Sequence, residues 1–374
     1  MMLQELARPA VATQPVYEPG KPVELVAREL GLDPASIVKL ASNENPLGPP
    51  PGAVRALAAA ACEVNRYPDN ACWRLRQLLA ERLGVAAGQL VFGAGSNELI
   101  NLLAAVFLAP GREAVMGRGA FISYRIATLL AEATPVEVPL VDFRHDLTAM
   151  REAITERTRV VFLPSPNNPT GTANPAAEIE AFARDLPEHV VLCFDSAYAE
   201  YQEAGPDLLP LVAAGRPLLI LRTFSKIYGL SGLRVGYGIA TPDLVALLER
   251  VRPPFNVSVP AQVAAEAALR EEGWVERSRA ANAAGLAQMT EGLEALGFAV
   301  VPSQGNFVLA EFGDAAGWNR ALLQNGVIVR PVAGYGFPRH LRLSIGTAAE
   351  NARLLEVLTG LRRTGGTGQT APQL

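Results

Sequence analysis

The sequence predicts an α/β fold: a large domain with a mostly parallel sheet flanked by helices, followed by a small α+β domain. Two patterns predict it. From about residue 90 to 240, short apolar runs rich in β-branched residues alternate with stretches whose apolar residues recur at helical spacing. After about residue 270 the apolar runs crowd together behind one long Ala-rich helical stretch, which fits hairpins rather than crossovers. With 374 residues, 49% of them hydrophobic, the chain can bury a core that needs no disulfide or metal staple.

In chain order, a Pro-rich arm comes first. Strands are then expected at 90–92, 114–116, 160–163, 190–194, 218–221 and 235–239, with amphipathic helices between them, as at 98–108 and 178–186. Beyond the Ala-rich helix, the runs 298–301, 307–311, 327–330 and 341–345 are expected to form an antiparallel sheet. The expected division is an N-terminal arm, 1–50, joining the small domain; a large domain, 51–268; a small C-terminal domain, 269–363; and a Gly/Thr/Gln-rich tail, 364–374, expected to be disordered. No internal repeat is visible.

A net charge of −4 with 19% charged residues offers no basic surface for nucleic acid, and no apolar run is long enough to span a membrane. Residues 1–17 hold no continuous apolar run, so no secretory signal is expected and the cytoplasm is the expected compartment. Cys62, Cys72 and Cys193 form no CxxC pair and are odd in number, which supports neither a disulfide framework nor a zinc site. His145, His189 and His340 lack the spacing of a helical metal pair, so no metal is expected. Among 33 Lys plus Arg only Lys21, Lys39 and Lys226 are lysines, which leaves few candidates for amine chemistry.

Lys226 follows an apolar run, at the strand edge where open α/β sheets bind ligands. A solvated surface lysine fits the same position. In a chain that otherwise prefers Arg, however, a retained amine points to imine formation, which a guanidinium cannot perform. Asp195 ends another apolar run, where it either serves a site or caps the following turn. The stretch Phe92-Gly93-Ala94-Gly95-Ser96-Asn97-Glu98 runs from a strand into a helix, and its glycines let the helix N-terminus meet an anion. It lacks the third glycine of a dinucleotide fingerprint and the Gly-Lys-Ser/Thr of a nucleotide loop. Arg342 lies in an alternating apolar run, where a lone charge is costly, so it calls for an anion from a ligand or from a protein carboxylate.

Thr223-x-Ser225-Lys226 with Arg234 eight residues on, together with Asn167-Asn168-Pro169-Thr170-Gly171, resembles the fold-type I pyridoxal-phosphate-dependent aminotransferases. The resemblance implies that Lys226 holds pyridoxal 5'-phosphate as a Schiff base and that Thr223, Ser225, Arg234, Ser96 and Asn97 bind its phosphate. It implies that Asp195 keeps the pyridine nitrogen protonated, that Tyr198 and Asn168 meet the ring hydroxyl oxygen, and that Phe121 stacks on the ring. Core packing would suit Phe121 equally. Lys226, Asp195 and Tyr198 are then the catalytic residues, and Arg342 takes a substrate carboxylate.

From about residue 17 to 361, the strings at 17–22, 42–48, 66–69, 326–331 and 341–347 are similar in order and spacing to the histidinol-phosphate aminotransferases. This narrower resemblance implies ping-pong transamination between histidinol phosphate and 2-oxoglutarate. Arg330 and Arg342 would hold the anionic end of the substrate, with Tyr17 and Asn43 as further contacts. It also implies a homodimer, in which Tyr67 reaches the cofactor phosphate of the neighbouring subunit. Aromatic amino-acid transamination and threonine-phosphate decarboxylation use the same motifs and stay open; a non-catalytic binding protein of this fold would lack Lys226 or Asp195. Two departures stand out: Gly117-Arg118-Gly119-Ala120 replaces the usual Pro-Thr before the stacking aromatic, and Asp195-Ser196 replaces the commoner Asp-Glu.

Overall fold

A seven-stranded sheet runs through the middle of the chain, in a computed structural model that describes residues 3–12, 14 and 20–363. Its strands are β1 (Leu90–Gly93), β2 (Glu113–Gly117), β3 (Thr134–Val138), β4 (Thr158–Pro164), β5 (Val191–Asp195), β6 (Leu218–Thr223) and β7 (Gly236–Ala240). The lateral order is β1-β7-β6-β5-β4-β2-β3. All neighbours are parallel except β7, which runs antiparallel to both β1 and β6.

Burial on both faces explains why these strands appear in sequence as unbroken apolar runs. Val161, Leu192, Phe194 and Ile220 join the buried cluster on one face, and Val160, Phe162, Cys193, Leu219 and Leu221 the cluster on the other. Truncating one of these, as in Phe162→Ala, costs about 3–5 kcal/mol. The six expected strands are all present, and β3 is an addition. It lies at the sheet edge, is half-exposed, and carries Pro135 and Glu137, which an edge tolerates and a search for buried runs passes over.

Parallel connections bring the carboxyl ends of β2, β4, β5 and β6 to one edge of the sheet. The end of β1 and the start of β7 join them there, since Gly236 faces both Gly93 and Thr223. Helices α1 (Ser96–Phe107) and α2 (Ser123–Leu130) begin just beyond β1 and β2 at this edge.

A four-stranded antiparallel sheet follows, with β8 (Ala299–Val301), β9 (Phe307–Glu311), β10 (Arg330–Pro331) and β11 (His340–Ser344) in the order β8-β9-β11-β10. The expected single strand over 327–330 is divided. Val327–Ile328 pairs in parallel with Val38–Lys39 near the start of the chain, and only Arg330–Pro331 pairs with β11. The partner of the first half is too distant in sequence for a local pattern to reveal it. Among the described residues, no helix is long and apolar enough to cross a membrane. The expectations for Tyr17 and for the tail 364–374 lie outside the described residues.

Candidate active site

The sheet edge opens into a cavity of ≈ 280 Å³ whose wall includes Ser96, Asn97, Phe121, Asn168, Asp195, Tyr198, Thr223, Ser225, Lys226 and Arg234. Arg234, at φ 54°, donates to Ser225 Oγ at 3.3 Å and to the Ser231 carbonyl at 2.9 Å. Its guanidinium lies so close to the loop before α1 that a Cβ on Gly95 would stand 2.5 Å from Nη2, and Gly95 has φ 81°. Glycine is required there by space and by backbone conformation together. The first turn of a helix leaves its amides without intrahelical partners, and Asn97 Oδ1 is buried with no hydrogen-bond partner among the described residues. A guanidinium, the hydroxyls of Ser96, Thr223 and Ser225, and a helix N-terminus form a cradle that fits a phosphate dianion.

Asp195 is buried in the same wall. Its Oδ2 accepts from the Tyr124 hydroxyl at 2.7 Å and its Oδ1 from the Ala197 amide at 3.1 Å, so turn-capping and exposure to the cavity coexist in one carboxylate. Burial pushes its carboxyl above the ordinary range, outweighing Tyr124, Ala197 and Lys226, which pull it down. A cation placed beside Asp195, as a protonated ring nitrogen would be, offsets that desolvation. Lys226 Nζ donates to the Ser42 carbonyl at 3.3 Å and stands 5.6 Å from the centre of the Tyr198 ring. Burial first, then the charges of Arg342 and Arg234, hold its amine down at about 7, against Glu44 and Asp195. About half of it is therefore free base at neutral pH.

The Tyr198 hydroxyl accepts from Asn43 Nδ2 at 2.9 Å. Burial pushes this phenol up to about 12, with Arg342 and Asn43 opposing, so the hydroxyl keeps its proton and can donate. Asn43, at φ 54° and 1% exposed, does not itself form the wall. It stands behind Tyr198 and is fixed by Ser344 Oγ, which accepts from its amide at 2.7 Å and donates to its Oδ1 at 2.9 Å.

Arg342 in β11 is buried, and it donates to Asn168 Oδ1 and to the Ala41 carbonyl, each at 2.5 Å. Arg330 is its partner in register across β10 and β11, so the two side chains share one sheet face. Arg330 lines a second, larger cavity of ≈ 740 Å³, which meets the first at Phe121. Tyr67 lines neither. It is 81% exposed and stacks on Phe255 with ring centres 4.6 Å apart.

Sequence reasoning passed over Tyr124 and Asn306, and gave Ser42, within the string at 42–48, no role of its own. Tyr124 left a usable signal, since a tyrosine in the first turn after Phe121 that is buried needs a partner for its hydroxyl. Ser42 and Asn306, whose Nδ2 donates to the Asn43 carbonyl at 2.9 Å, left none, because their roles arise only from distant segments meeting.

The family model for aminotransferase class I and II matches residues 35–358. Histidinol-phosphate aminotransferase 1 of Thiobacillus denitrificans is 52% identical over 354 residues, covering 94% of this chain and 92% of that protein. Histidinol-phosphate aminotransferase 2 of Pseudomonas fluorescens is 50% identical, covering 94% and 96%. Among solved structures, histidinol-phosphate aminotransferase from Sinorhizobium meliloti in complex with pyridoxal-5'-phosphate superposes with a TM-score of 0.85 at 28% identity, covering 94% of this chain and 97% of that one. The chain belongs to the class I and II aminotransferase family, in the branch whose curated members carry the histidinol-phosphate aminotransferase name.

Proposed function

We propose that this chain is a pyridoxal-phosphate-dependent transaminase that exchanges an amino group between histidinol phosphate and 2-oxoglutarate. In the biosynthetic direction it forms histidinol phosphate and 2-oxoglutarate from imidazole-acetol phosphate and glutamate. The observation that carries the proposal is the placing of the Lys226 amine, held near neutrality, in one wall with the Arg234 cradle and the buried Asp195. Pyridoxal phosphate, when bound, supplies an aldehyde for the amine and a ring that accepts electrons.

The chain's own residues do the rest. Arg234, Thr223, Ser225 and the α1 N-terminus bind the phosphate, with Ser96 and Asn97 in that turn. Asp195, held by Tyr124, stabilises positive charge at the ring nitrogen. Tyr198 and Asn168 orient the ring oxygen and Phe121 covers the ring face. Lys226 Nζ, as free base, takes the proton from the substrate Cα, and Arg342 and Arg330 hold the substrate's anionic end. Tyr17 is assigned as a further substrate contact on sequence grounds. The described residues that flank its segment, Gln14 and Gly20, line the second cavity.

A homodimer with shared sites is part of this proposal. The exposed Tyr67–Phe255 stack is what an aromatic that serves a neighbouring subunit leaves uncovered in one chain. So are the division into an arm (1–50), a large domain (51–268) and a small domain (269–363), and a cytoplasmic location. The test is turnover with histidinol phosphate, phenylalanine and threonine phosphate, supplying 2-oxoglutarate. Glutamate formation dominated by histidinol phosphate is expected. Preference for phenylalanine, or carbon dioxide release from threonine phosphate, would replace the substrate assignment.

A further inference from the structure

We propose that Arg118 is a specificity-determining residue: it takes the phosphate of a phosphomonoester substrate at the mouth of the second cavity, and so selects dianions over monoanionic amino donors. This rests on the substrate assigned above.

Among the described residues, the second cavity gathers Lys21, Arg118, Arg125 and Arg330 around one carboxylate, Glu137. Arg125 pairs with Glu137 at 3.4 Å and Lys21 with Glu29 at 2.6 Å. No described carboxylate pairs with Arg118, which is exposed while Gly117 and Gly119 on either side of it are buried.

The backbone at Arg118 is clamped. A Cβ on Gly117 would overlap the His145 ring. Gly119 has φ 86°, and a Cβ there would lie 2.7 Å from the Phe337 ring. The Arg118 amide donates to the Val138 carbonyl at 2.6 Å. A loop clamped in this way needs no reordering when the guanidinium meets an anion, and Arg forks onto phosphate oxygens in a way Lys does not. A phosphate monoester carries close to two charges at neutral pH against one for a carboxylate, so the same cations attract it about twice as strongly. A charge at a cavity mouth acts mainly on capture.

The test compares holoenzyme of the parent chain with Arg118→Ala and Arg118→Lys. Inorganic phosphate is titrated by calorimetry, and kcat and KM are measured for histidinol phosphate, for unphosphorylated histidinol and for glutamate. Arg118→Ala is expected to weaken phosphate binding about fivefold to tenfold and to raise KM for histidinol phosphate by a similar factor. Values for kcat, histidinol and glutamate stay within about twofold, and the lysine variant recovers part of the loss. Raised added salt should depress kcat/KM less in the alanine variant than in the parent. Unchanged phosphate affinity, no phosphate binding in the parent, or an equal rise in KM for histidinol would overturn the proposal. The titration does not require histidinol phosphate to be a substrate. Parent protein that ignores histidinol phosphate while Arg118 still governs phosphate binding would therefore remove the assigned substrate and leave the anion site.

Discussion

The two cavities that meet at Phe121 are built in opposite ways. The walls of the smaller one come mostly from strand ends and first helical turns of the large sheet, with Ser42 and Glu44 from the arm, and Asp195, Tyr198, Thr223 and Ser225 in them are buried and hydrogen-bonded to neighbours. The larger one is assembled from the arm, α2 and the segment around β10, and the charged side chains among its described lining residues are Lys21, Arg118, Arg125 and Arg330 beside Glu137. Burial multiplies the consequence of each charge in the first, and water softens it in the second. Changes at the cofactor end should therefore act steeply, and changes at the other end by degrees.

The steepest test is Asp195→Asn. The amide keeps the shape and the contact with Tyr124 but removes the charge, and a preorganised charge of this kind is worth about a hundredfold to a thousandfold in kcat. Unchanged melting temperature with a loss of that size supports the contrast between the ends; a loss below about fivefold breaks it.

Next in size is a pH effect at Lys226 that involves Arg342, a residue in the wall of neither cavity. Because the Lys226 amine sits at about 7, its free-base fraction falls roughly tenfold for each unit below that, and reconstitution of the apo chain with pyridoxal phosphate should slow in step. After burial, Arg342 is the largest cause of the depression, so Arg342→Gln should move this limb to higher pH and slow reconstitution at pH 7. Stability carries the same sign. Between about 7 and the ordinary 10.5 the unfolded chain binds the extra proton, so the apo chain gains stability as pH rises through that window. A limb that Arg342→Gln leaves in place would contradict the part given to Arg342 in holding the amine down.

The smallest expected effect is that of Tyr124→Phe. It leaves Asp195 Oδ2 without its donor in a buried setting, at a cost of about 1–3 kcal/mol in stability or cofactor affinity. Equilibrium titration of the apo protein with the cofactor measures it.

Legibility follows the same division. The gathering of residues in the smaller cavity's wall was legible because they lie in contiguous strings at strand ends, where apolar runs such as 160–163 mark the strand and the next few residues mark the wall. The contacts behind that wall and from the arm were only partly readable. Asn43 and Ser344 are 301 positions apart yet hydrogen-bonded, and Val38–Lys39 finds its partner at Val327–Ile328, so no local period encodes these contacts. Tyr124 was passed over for a different reason: in a helix that already needs apolar residues, a buried phenol reads as packing until its carboxylate partner is known. β3 was passed over because an edge strand does not need the unbroken apolar run that marks a central one.

With only three lysines in the chain, the covalent attachment can be assigned directly. Holoenzyme treated with borohydride, digested and sequenced by mass spectrometry should carry the reduced pyridoxyl phosphate group on Lys226, with Lys21 and Lys39 unmodified. A group found on either of those two, or an unmodified Lys226 in protein that turns over, would contradict the account.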